Sequence, residues 1–246
     1  MKKVKLGVFS LSASAPDGDD SRYLRWHHLD HLPQQYEIPG MLFGQRWVST
    51  PECRSARAVQ SERFEPVNHV VHYLFGDPVA QVVDDFFALR DHLIEIGRFP
   101  ERLPNRLVSG GEPVEAHAAA SALVTADVVP YRPNRGAYLI IEQFQPPSEA
   151  ARWAPEYVEA LLAIDGVAGL WSFAPTTLRP DEFSKSGYSV TVCYLDEDPV
   201  GVADPIGTVL ADRWADRWEG AAITPAFAAP FVSLQPFDYD RHRRPG

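Results

Sequence analysis

Residues 67–96 read VNHVVHYLFGDPVAQVVDDFFALRDHLIEI. The run from Val67 to Phe75 is short, rich in β-formers and stopped by Gly76-Asp77-Pro78, which reads as a strand and its turn. Beyond Pro78 the apolar residues recur at helical spacing from Val79 to about Ile96, with the proline near the first turn of a long amphipathic helix. The same pattern returns later in the chain. Gly187 to Leu195 is again strand-like, Asp198-Pro199-Val200 matches Asp77-Pro78-Val79, and Val200 to Trp218 is again a long helix.

The repeat extends upstream of both turns. Val4 to Leu11 reads as a strand, Asp19-Asp20-Ser21 supply caps for a helix to about Gln35, and Met41 to Ser49 reads as the next strand. In the second half Arg135 to Phe144, Ser148 to Ala163 and Val167 to Phe173 follow the same order, and Ile164-Asp165-Gly166 matches Ile38-Pro39-Gly40. Each half therefore reads β-α-β-β-α. A fourth strand, with Leu123 to Val129 and Phe227 to Leu234 as candidates, would complete a ferredoxin-like unit. Leu103 to Ala122, with Gly110-Gly111 and Pro113, reads as a long connection. The expected class is α+β: two tandem ferredoxin-like units, residues 1–130 and 131–246, whose sheets close into an intrachain pseudo-dimeric α+β barrel.

Composition narrows the function. Of 246 residues 45% are apolar, and 23 Lys and Arg stand against 33 Asp and Glu, a formal charge of -10. Such a field repels phosphate backbones and anionic lipid, so nucleic acid and membranes are not expected partners. The basic cluster Arg241-His242-Arg243-Arg244 reads as a solvated tail. No apolar run approaches the roughly 20 residues of a membrane span and the start lacks a signal-peptide core, so a cytoplasmic location is expected. Cys53 and Cys193 lack the second pair of a zinc or disulfide framework, and Cys193 sits in a strand as a buried thiol. Gly-rich phosphate loops and a G-x-S-x-G elbow are absent.

Chemistry concentrates in the first helix, where His27, His28 and His31 fall within five residues. Helical spacing puts His28 and His27 beside His31, and imidazoles suit proton transfer near neutral pH. On the third strand, alternation places His69, Val71 and Tyr73 on one face and Val70, His72 and Leu74 on the other, so one of the two histidines faces a given pocket. His27-x-x-x-His31 has the spacing of a metal pair but needs a third ligand, and no metal is assigned. Core packing or carbonyl capping is the competing reading for each histidine, and a core position for Trp26.

Trp26-His27-x-x-x-His31-x-Pro33, followed by Ile38-Pro39-Gly40-Met41, resembles the W-Y-x-x-x-H-x-P…P-G-F signature of EthD-like proteins in the dimeric α+β barrel superfamily. The resemblance implies a pocket between sheet and helices, with His31 as the helix histidine. The chain departs from the pattern at His27, where tyrosine is usual, and at His28, where an acidic residue is common. Trp153-Ala154-Pro155-Glu156-Tyr157-Val158 in the second half has no histidine, which implies one active pocket, in residues 1–130, and a degenerate site in 131–246. Asn68-His69-Val70-Val71 also looks like the T-H-[IV]-V run of plant polyketide cyclases, whose histidine is a base.

These features lead to a cofactor-independent enzyme of cyclase, isomerase or lyase type. His31 with His69 or His72 would shuttle protons on a carbonyl-containing or aromatic substrate, with Trp26, His27, His28 and Tyr73 as binding residues and Tyr73 oriented toward an enolate oxygen. Two alternatives stand: an oxygenase, using haem held by one histidine or no cofactor, and a non-catalytic accessory protein. A small molecule is the expected partner, and a homo-oligomer stays open.

Overall fold

In β4 (Val67–Phe75) all nine residues are buried, and β1 (Leu6–Ala13), its antiparallel partner, is buried at all positions but Ser10. Strands read this way when both faces of a sheet are covered. One face of this sheet lines the inside of a barrel and the other carries helices. The computed structural model describes residues 3–145, 152–178, 187–215 and 222–239.

The remaining strands are β2 (Met41–Val48), the two-residue β3 (Val59–Gln60), β5 (Asn105–Ala118), β6 (Gly136–Gln145), β7 (Val167–Pro175), β8 (Tyr188–Leu195) and β9 (Ala222–Ser233). Their order is β2-β4-β1-β5-β7-β8-β6-β9, and β9 pairs back onto β2 through Trp47 with Ser233 and Val48 with Val232. The result is a closed eight-stranded antiparallel barrel, with β3 attached to β9. The α+β barrel expected from the sequence is the fold observed.

The first four barrel strands and the last four share more than order. Leu6 faces Phe75 and Val8 faces Tyr73 across β1 and β4; Gly136 faces Leu195 and Tyr138 faces Cys193 across β6 and β8. Lys5 N donates to Phe75 O just as Arg135 N donates to Leu195 O. Through these registers Ser10 corresponds to Ile140, Ser12 to Glu142, and Arg46 to Ser172.

Three cores follow from the alternation. Phe9, Trp47, Leu74, Trp171, Phe173, Phe227 and Phe231 fill the barrel interior. Outside the first half, Leu6, Val8, Val71 and Tyr73 meet α4 (Val79–Glu95) through Val82, Val83 and Phe87. Outside the second half, Tyr138, Ile140, Leu170 and Cys193 meet α5 (Pro155–Leu162) and α6 (Ala203–Ala215). Each buried Leu or Phe contributes about 1.5–3 kcal/mol of apolar transfer energy.

Two expectations need correction. The fourth strand of the first half is β5 and not Leu123–Val129, which instead meets a 3-10 turn over Ala126–Tyr131, with Leu123 exposed at φ 56°. The glycines that suggested a loop serve close approach. A Cβ on Gly111 would stand 2.8 Å from the Phe173 Cβ, and one on Gly7 2.5 Å from the Phe173 ring, so the pair admits that side chain against the sheet. The first helix is also not uniform. It runs as α1 (Ser21–Trp26), a π turn over His27–His31 and α2 (Leu32–Gln35). Leu32 N bonds His27 O, five residues back. Pro33 has no N–H for Leu29 and its ring crowds that carbonyl, and a widened turn accommodates both. A further short helix, α3 (Pro51–Ser55), is capped by the Thr50 side chain.

The expected helix start at Ser148, the helix end at Trp218 and the basic cluster at Arg241–Arg244 lie outside the described residues. Among the described residues no helix is long and apolar enough to cross a membrane. Cys53 and Cys193 are both buried and free.

Candidate active site

A cavity of about 270 Å³ lies between the outer face of the first half's sheet and its helices. Val8, Val71, Tyr73 and Arg46 form its floor, and His27, His31 and Gln35 descend from the π turn and α2. Phe86, Phe87 and Phe99 supply apolar wall, and Arg90 and Arg102 also line it. Among the described residues no aspartate or glutamate does.

Four polar side chains form two hydrogen-bonded pairs. Tyr73 Oη is 2.7 Å from His27 Nε2, and Gln35 Nε2 is 2.9 Å from His31 Nε2. The carboxamide NH2 only donates, so His31 accepts at Nε2 and carries its proton on Nδ1. The π turn sets the His27 and His31 rings edge to face, 5.8 Å apart. Trp26 stacks on the far side of His31, 4.7 Å away and nearly parallel.

Burial decides the charges. Desolvation, helped by the Arg46 charge, holds His31 at about 4 and pushes His27 well below its usual value. Burial raises Tyr73 above the ordinary phenol range. At neutral pH the floor and helix side of the site therefore present two neutral imidazoles, the protonated Tyr73 phenol and the Arg46 guanidinium.

The expected site residues separate into groups. His31, His27 and Tyr73 meet at the cavity. His69 is on the Tyr73 face but outside the cavity wall, 2.7 Å from the buried Asp20 that precedes α1. His72 points into the barrel, stacked 4.4 Å from Phe9, with Nε2 3.3 Å from Tyr194 Oη; burial lowers it to about 3. Its place on the opposite side of the sheet removes it from the pocket. His28 does not sit beside His31, because the wider turn rotates it outward to Tyr239, whose hydroxyl is 3.3 Å from Nδ1. Trp26 backs His31 and packs on Phe99 without lining the cavity.

Arg46 and Gln35 were missed by reasoning on histidines. Arg46 had a signal: it is the one charged residue in the strand MLFGQRWV, on a sheet covered on both faces. Gln35 lies one turn beyond His31 and had none.

In the second half the corresponding face carries a buried ion pair among the described residues. Glu142 accepts from Arg213 Nε and Nη2, both at 3.1 Å, and from Trp214 Nε1 at 2.8 Å. The Arg213 guanidinium lies 4.1 Å over Trp153, whose indole N–H donates to Thr191.

Haem would need a ring nitrogen free and directed into the cavity. The Nε2 atoms of His27 and His31 are engaged, and their Nδ1 atoms are enclosed in protein without a partner. The site as built offers haem no axial ligand. Among the described residues no three His, Cys, Asp or Glu side chains converge to hold a metal ion.

No protein-family profile and no curated protein sequence matches the chain. Solved structures do. A protein assigned as the chlorite dismutase TA0507 superposes with a TM-score of 0.55 at 10% identity, over 96% of this chain and 97% of that one. A point mutant of chlorite dismutase from Candidatus Nitrospira defluvii gives 0.51 at 11% identity, over 98% and 94%. A protein assigned as a monooxygenase, FN1347 from Fusobacterium nucleatum subsp. nucleatum, gives 0.50 at 10% identity, over 96% and 94%. The chain has the dimeric α+β barrel fold. At these identities the likeness extends to the fold alone.

Proposed function

We propose that the protein is a cofactor-independent enzyme that moves a proton on a carbonyl-containing or aromatic substrate, in a reaction of cyclase, isomerase or lyase type. The observation that carries this reading is the two pairs His31–Gln35 and His27–Tyr73 side by side on an aromatic-walled cavity. Substrate entering the cavity would displace the Gln35 carboxamide from His31 Nε2 and turn the Tyr73 hydroxyl from His27 Nε2, so that the neutral imidazole accepts a substrate proton while the hydroxyl, kept protonated, donates toward the developing enolate oxygen. In this reading His31 and His27 are the proton carriers, and His69 positions α1 through Asp20 rather than touching substrate.

The shared strand order and register of the two halves support a tandem EthD-like chain, with residues 1–130 holding the active unit and 131–246 its structural partner. A fold shared with a protein assigned as a monooxygenase favours one second reading: deprotonation of an electron-rich aromatic that then reacts with oxygen directly. Both readings begin with the same proton transfer.

The test is a spectrophotometric screen of flat carbonyl and polyphenolic compounds with dissolved oxygen recorded in parallel. Turnover without oxygen uptake supports the first reading, and stoichiometric uptake the second. For a compound that turns over, His31→Ala and Tyr73→Phe should each lower kcat by about 10²–10⁴-fold. Full activity in both variants overturns the assignment.

A further inference from the structure

Arg46 is 5% exposed, and its Nε and Nη1 atoms are sealed from solvent with no hydrogen-bond acceptor. Its side-chain company is aromatic: the Tyr23 ring lies 5.3 Å from Cζ. Among the described residues no carboxylate is within ion-pair distance of the guanidinium. Asp20, a carboxylate whose charge favours the guanidinium, is already committed to His69 Nε2 at 2.7 Å and to Ala15 N at 2.6 Å. A buried cation left in this state is costly, and proteins retain such a group where something else completes it.

The second half shows the completed version. Arg213 is as buried as Arg46 and rests on an aromatic ring in the same way, yet Glu142 receives it through two hydrogen bonds. In the first half the space beside the guanidinium is the cavity. Among the described residues that line that cavity, the buried polar atoms without partners are Arg46 Nε and Nη1, which donate, the Nδ1 atoms of His27 and His31, and one acceptor, Gln35 Oε1. Arg102 adds positive charge to the wall, and Arg90 lines it while bonded to Asp91 at 2.8 Å, in a protein that carries a net charge of -10.

We propose that the cavity binds a flat, unsaturated carboxylate whose anionic group pairs with Arg46 while its hydrocarbon lies among Phe86, Phe87 and Phe99. A carboxylate fits better than a phenol, because it is already charged at neutral pH and brings two acceptor oxygens to a site deficient in acceptors. The anion also bears on the chemistry. By cancelling the Arg46 field that depresses both imidazoles, it makes His27 and His31 stronger bases at the moment substrate is present. This assignment rests on the same pocket as the catalytic reading and adds the substrate's charge class to it.

The experiment is calorimetric titration of the whole chain at pH 7 with naphthalene-2-carboxylate, its neutral isostere naphthalene-2-carboxamide, and 2-naphthol. The carboxylate should bind about tenfold or more tighter than the amide and the phenol. Arg46→Met should erase that preference while leaving amide binding in place, and Arg46→Lys should retain part of it. Equal affinity for acid and amide in the unaltered protein overturns the proposal, as does a preference that survives Arg46→Met. The acid–amide comparison needs no variant, so a misfolded Arg46→Met leaves a decisive result. Because only binding is read, a tight carboxylate that never turns over counts against the catalytic reading and leaves this one standing.

Discussion

The outer faces of the two half-sheets have the same strands in the same register, yet one holds a cavity and the other a packed core. The difference lies in a few exchanges. Where the first half has Val8, Ser10 and Ser12, the second has Tyr138, Ile140 and Glu142, and Arg46 becomes Ser172. Among the described residues, larger side chains and a paired arginine pack on this face in the second half; smaller ones and an unpaired arginine border the cavity in the first. The scaffold thus tolerates either outcome, and side-chain volume and charge pairing decide which half can hold a ligand.

The sharpest way to break this comparison is at its ion pairs. Arg213→Ala strands the buried Glu142 carboxylate and should cost about 3–5 kcal/mol in urea unfolding. Arg46→Ala strands no carboxylate and should fall well short of that cost. Equal losses at the two positions would mean that Arg46 has a partner after all.

Acid separates the buried histidines from the rest of the protein. His31, held at about 4, and His72, held at about 3, stay neutral in the folded chain while an unfolded chain binds protons below about 6.5. Their folded values are depressed, so the unfolded state gains protons first and stability falls as pH drops from about 6.5 toward 4. Each contributes a slope of about 1.4 kcal/mol per pH unit in that window. Denaturation midpoints between pH 7 and 4.5 check this, and His72→Phe should flatten the slope by about one histidine without affecting ligand binding.

The smallest effect comes from making the first half resemble the second. Ser10→Ile introduces the residue found at the matching position and should narrow the cavity, weakening naphthoate binding while changing stability by about 1 kcal/mol or less. Unaltered binding would place the ligand away from β1.

Much of the fold could be read from the chain because burial on both faces leaves continuous apolar runs, as in Val67–Phe75, and because Asp-Pro turns mark both halves. β5 escaped because its glycines serve Phe173 on another strand, a contact far away in sequence. At the site, the spacing of His27 and His31 held, but His28 did not, since the π turn forced by Pro33 changes the angle between successive residues. His72 could be assigned a face by alternation, but not which face was the barrel interior. Arg46 gains its meaning from the carboxylate that is missing beside it, and only a three-dimensional arrangement shows that.

The closure of the barrel also has a consequence for synthesis. β2 and β5, which border the first four strands, find their outer partners only in β9 and β7. As the chain leaves the ribosome, the half with the cavity is made first but waits with two unpaired strands and an apolar concave face until residues 167–233 arrive. Those strands are templates for association with another nascent chain. A ribosome stalled after residue 130 would therefore release an aggregation-prone fragment rather than a small folded unit.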